Sequence, residues 1–134
     1  MDELARINWV GVIIATIVGY GIGVLWFNQK VFGNAWMADL GRTPDSSNMV
    51  KAMGLGFVMT LIAAIGLAWL IRLTGAKSLV GGTKVGLLVA IAFVLTSYYG
   101  DALYAGTKNR FVAITGGYRA VMITVMGAIL GRWH

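Results

Sequence analysis

Phe111 to Gly131, FVAITGGYRAVMITVMGAILG, is nearly continuous apolar sequence broken by one charge, Arg119. A helix rises about 1.5 Å per residue, so a stretch of this length crosses the roughly 30 Å hydrocarbon core of a bilayer. The stretch therefore predicts a membrane span. A guanidinium inside a span costs at least about 2.5 kcal/mol, so the fold must compensate Arg119.

Working back along the chain, three further apolar blocks share the character of the last. The four spans are expected at about 8–27, 52–71, 85–104 and 111–131. Hydrophobic residues make up 58% of the 134, above the usual share of about half for soluble domains, and the excess lies in these blocks. Four spans and their turns consume nearly the whole chain. The expected fold is a single domain over 1–134: an all-α integral membrane protein, four transmembrane helices in a compact antiparallel bundle. The amino terminus, Met1-Asp2-Glu3-Leu4-Ala5-Arg6, is acidic and leads into an apolar run too long for a signal-peptide core, which predicts a retained first span.

The net charge is +6, but most Lys and Arg flank apolar blocks, which points to anionic lipid headgroups and away from nucleic acid. There is no cysteine, which removes disulfides, thiolate metal sites and Cys nucleophiles. The single histidine is the terminal His134, and Asp101 is the only acid inside a span. That leaves no intramembrane carboxylate pair, metal-ligand cluster or Ser-His arrangement, so neither enzyme activity, metal nor cofactor is expected.

Small residues recur every four positions in each span: Gly11, Ala15, Gly19 and Gly23 in the first; Ala52, Gly56, Thr60, Ala64 and Ala68 in the second; Gly86 and Ala90 in the third; Gly116, Ala120, Thr124 and Ala128 in the fourth. Such spacing gathers them on one helix face, where a neighbouring backbone can approach closely. Gly11, Ala15, Gly19, Gly23, Gly56, Thr60, Gly116 and Ala120 are the expected packing positions. The stripes exceed what one small core must bury, so a homo-oligomer is expected.

Between the first two spans, Phe32, Trp36 and Leu40 recur at four-residue spacing, which predicts a short helix lying in the membrane interface. Gly41 to Asp45 reads as a turn, and Ser46, Ser47 or Asn48 as a helix cap. Gly75 to Lys84 reads as the turn into the third span.

The one polar cluster expected within the bilayer is Asp101 and Arg119 with Ser97, Tyr98, Tyr104 and Thr115. Counted from the turn near Lys108 and Arg110, the two charges lie at similar depth on consecutive antiparallel helices. Two functions follow. The cluster lines a pathway, making the protein a transporter or permeation module for a small solute or ion. Alternatively the chain is a non-transporting structural or accessory protein, with Asp101 and Arg119 as a helix staple. A third use of Arg119, with Lys108 and Arg110, is lipid headgroup binding.

Orientation is balanced: Arg6, Arg72, Lys77, Lys84 and Arg132 on one side face Lys30, Arg42, Lys51, Lys108 and Arg110 on the other. An even span count puts both termini on one side. The compact Arg72, Lys77, Lys84 group beside a short turn assigns that side to the cytoplasm, with insertion in both orientations as the alternative.

Several short motifs carry a resemblance. Ile7-Asn8-Trp9, Gly23-Val24-Leu25-Trp26-Phe27 followed by Phe32-Gly33-Asn34-Ala35-Trp36, and Gly117-Tyr118 leading to Met126 through Trp133 resemble the family called domain of unknown function 1761. The resemblance covers nearly the whole chain. It implies four spans in a small, mostly bacterial membrane protein, hence an inner-membrane location, and supplies no activity. It also leads one to expect histidine after the Gly-Tyr pair in many members. This chain has Arg119 there, so no role that needs a titrating imidazole at that position is expected.

Overall fold

The computed structural model describes residues 7–26 and 46–133. Four helices are long and apolar enough to cross a membrane: α1 (Trp9–Trp26), α2 (Ser46–Thr74), α3 (Leu79–Ala105) and α4 (Asn109–Arg132). The all-α, four-span reading of the sequence holds. The interfacial helix expected around Phe32, Trp36 and Leu40 lies outside the described residues.

Local chemistry explains where the helices stop. Gly75 takes φ +73 after α2, where L side chains are strained, and the Gly75 and Ala76 amides return to the Arg72 and Ile71 carbonyls at 3.2 Å each. Gly106 ends α3 the same way at φ +70, its amide 2.9 Å from the Ala102 carbonyl. The start of α3 corrects the sequence reading. The helix begins at Leu79, capped by Ser78, whose hydroxyl accepts from the Gly81 amide at 2.9 Å. Gly81 and Gly82 are thus helical rather than part of the turn.

The reason lies in packing. Gly82 and Gly86 on α3 lie against Gly127 and Gly131 on α4, backbone to backbone. A Cβ added at Gly86 would lie 2.7 Å from the Ile123 carbonyl oxygen, and one at Gly127 would lie 3.0 Å from the Gly86 Cα. Glycine has a helix propensity about 1 kcal/mol below alanine. In lipid, where no hydrophobic drive joins helices, the close contact it allows offsets that cost.

The other α4 face packs on α1. Gly19 receives Met122 and Met126, Gly11 lies under Trp133, and Gly23 under the Tyr118 ring. Ala15 and Thr16 are buried, and Ala64, Leu67, Ala68 and Ile71 carry α2 into the same core. α4 is therefore the hub, touching all three other helices.

One irregularity was not expected. α3 is α-helical over Leu79–Val89, π-helical over Ala90–Leu95, and α-helical again over Thr96–Ala105. The π segment holds no Pro or Gly to cause it.

Candidate functional site

Arg119 is placed by the seven-residue relation along α4. Val112 and Met126 lie seven positions either side of it, nearly two turns away, and both are buried at 2% and 0% exposure. The Arg119 Cα–Cβ bond consequently shares the inward stripe of α4, although the whole side chain is only half-buried. Its guanidinium carbon stands 5.1 Å from the centre of the Tyr118 ring. Such a cation–π contact contributes about 0.5 to 2 kcal/mol, part of what a guanidinium in a span needs.

Tyr118 heads a buried polar line. Its side chain stands near Thr60 on α2, and Thr60 Oγ1 donates to the Gly56 carbonyl at 2.9 Å. Thr60 is 1% exposed. Tyr20 and Tyr98 lie in the same electrostatic neighbourhood. Tyr20 donates to the Met53 carbonyl at 3.2 Å and meets Phe57 edge-on at 5.4 Å. Trp26 Nε1 donates to the Ile114 carbonyl at 3.0 Å, fixing the end of α1 on α4.

The antiparallel register sets what faces Arg119. Gly86 lies beside Ile123 and Thr124, and Leu95 and Tyr98 lie beside Gly116. Arg119, between Gly116 and Ile123, is therefore level with the π segment Ala90–Leu95. π segments are frequent at functional sites.

The expected cluster is not gathered. Asp101 is four residues from the end of α3 at Ala105, and Arg119 is ten residues from the start of α4 at Asn109. At about 1.5 Å per residue they lie about 6 Å and about 15 Å from the connecting turn. Asp101 is exposed, and among the described residues no ion pair joins it to Arg119. The staple geometry is absent because the turn is short and α3 reaches past Asp101 by one turn. Tyr104 is 96% exposed. Ser97 is also exposed, and its hydroxyl donates to the Phe93 carbonyl at 2.5 Å. Thr115 donates to the Phe111 carbonyl at 2.9 Å, within its own helix. Of the α3 members of the expected cluster, Tyr98 lies against Gly116 on Arg119's helix.

Among the packing positions, Gly11, Ala15, Gly19, Gly23, Thr60 and Gly116 all lie at helix contacts. Ala120 is half-buried against the core. Gly56 differs: a Cβ there would meet nothing within 4 Å, and its carbonyl rather than its missing side chain is what the fold uses. The sequence reading missed Gly82, Gly127 and Gly131, and it did not single out Tyr118. The signal for the glycines was present as two Gly-x-x-x-Gly pairs, Gly82 to Gly86 and Gly127 to Gly131.

The family model described as "Protein of unknown function (DUF1761)" matches residues 10–131, and the chain belongs to that family. No curated protein and no solved structure matches it.

Proposed function

We propose that this DUF1761 protein is a small membrane transport or permeation module, and that Arg119 is the group its solute meets. The observation that carries the reading is the place of Arg119: on the inward stripe of α4, near mid-membrane, with no carboxylate facing it among the described residues. A residue that served only to hold helices together would gain far more from an acidic partner. An ionisable group kept inside a span marks a solute pathway by default. The π segment at its level, the Tyr118 ring beside its guanidinium and the Tyr98 ring against its helix support the same reading. With a cation and hydroxyl groups as lining, the solute is a small anion.

The reading includes no catalytic step. In the same proposal the α1 start and α4 end face the cytoplasm, and exposed apolar residues of α2 and α3 such as Phe57, Ile62, Leu88 and Phe93 meet lipid or a second copy of the chain.

Reconstitution tests this directly. Liposomes carrying the protein should pass small anions in a saturable manner above empty liposomes. Arg119→Gln should lower that flux at least tenfold, and Asp101→Asn should keep it. No flux above empty liposomes for any anion, cation or cationic dye would overturn the proposal.

A further inference from the structure

At the bundle end where α1 begins and α2 and α4 finish, a small cleft opens between the three helices, lined by Asn8, Ile71, Arg72, Leu130 and Trp133. The Arg72 Nε atom is buried and has no hydrogen-bond partner. Leaving a buried donor unmatched costs about 1 to 3 kcal/mol, more when the group is charged, so a native guanidinium nitrogen in this state calls for an acceptor. Asn8 directs its side-chain oxygen to the Gly11 amide at 3.3 Å, which leaves its NH2 as a second donor at the cleft.

Among the described residues, the charge around the cleft has one sign. Arg72, Lys77, Lys84 and Arg132 all stand at this end, and the only acid among the described residues, Asp101, is at the other. The acceptor is therefore an anion. Its source follows from depth: Arg72 lies two residues before the end of α2 at Thr74, the level of lipid headgroups. Leu73 and Leu79 are exposed at the same level, and Trp133 stands at the rim with nearly half its surface open, an apolar border suited to acyl chains. The enclosed part of the cleft holds about one water-sized group, so a single phosphate oxygen enters while the rest of the lipid stays outside.

We propose that this cleft binds the phosphate of an anionic lipid, with Arg72 Nε and the Asn8 amide as donors and Lys77 and Arg132 supplying charge at the rim. The site is remote from Arg119 and does not depend on whether the protein carries flux. Its occupancy ties α1, α2 and α4 together at this end.

The test uses the delipidated full chain in neutral detergent. Added phosphatidylglycerol should raise Tm by about 5 °C or more, whereas phosphatidylcholine and inorganic phosphate should not. Arg72→Gln should lose most of the shift, and Lys51→Gln at the opposite end should keep it. Arg72→Lys guards against a folding defect in the first variant: it preserves the charge and removes Nε, and its shift should fall to less than half. Native mass spectrometry of the unmutated protein in an equal mixture of the two lipids should show at least fivefold preference for phosphatidylglycerol. An equal shift with phosphatidylcholine or with inorganic phosphate, no preference in the mixture, or an undiminished shift in Arg72→Lys would each overturn the proposal.

Discussion

Gly82 and Gly127 meet backbone to backbone: a Cβ on Gly127 would sit 2.5 Å from the Gly82 carbonyl oxygen, closer than real Cβ atoms approach. The neighbours on either side are also backbone, Gly86 and Gly131, so no flexible side chain can yield. The α3–α4 seam is consequently the part of the bundle least able to absorb a methyl group.

Gly82→Ala and Gly127→Ala should each destabilise the protein by about 3 kcal/mol, the upper range for overpacking, because whole helices must separate. Gly56→Ala is the control. With open space around it, the substitution should be neutral or slightly stabilising through helix propensity. Thermal unfolding in detergent reads all three.

A double-mutant cycle on Asp101→Asn and Arg119→Gln should give a coupling energy under about 0.5 kcal/mol. The two charges differ by about 9 Å in depth and do not pair, and sites without a shared partner add. Coupling well above that, with the double variant recovering stability, would mean the charges do meet.

Tyr118→Phe removes a buried hydroxyl near Thr60, whose own bond to the Gly56 carbonyl stays. The expected loss is about 1 kcal/mol. Thr60→Val should cost about as much, because it deletes the bond to the Gly56 carbonyl at a buried position. The two changes should be non-additive in a stability cycle, since the two side chains are neighbours.

Trp26→Phe keeps the ring against Gly117 and deletes the bond from Nε1 to the Ile114 carbonyl. A loss of about 1 kcal/mol is expected. The indole emission of Trp26 should also shift to the red if the ring leaves its seat, which a tryptophan spectrum of the Gly117→Leu variant would show.

The span count and the helical class were legible because they depend on run length and apolarity, which are one-dimensional quantities. Phe111 to Gly131 needed no partner to be read as a span. The small-residue stripes named the α1 face correctly because α1 packs on α4 through Gly11, Gly19 and Gly23 in register. Elsewhere the stripe was a poorer guide. On α4 the seam runs through Gly127 and Gly131, one position off the chosen series at Ala128, and only the facing backbone of α3 distinguishes them.

What the sequence determined by itself is that this chain forms four membrane-length helices carrying one intramembrane guanidinium, with flanking cations on both sides. Tertiary structure alone decided what surrounds those charges. Depth along a helix follows from counting residues, but the direction of a side chain depends on helix rotation, and rotation is set by which glycines let which backbones touch. Thus Arg119 meets Tyr118 rather than Asp101, Tyr118 finds Thr60 on a helix some sixty residues earlier, and Arg72, which the sequence showed only as a flanking cation, carries a buried nitrogen awaiting an acceptor.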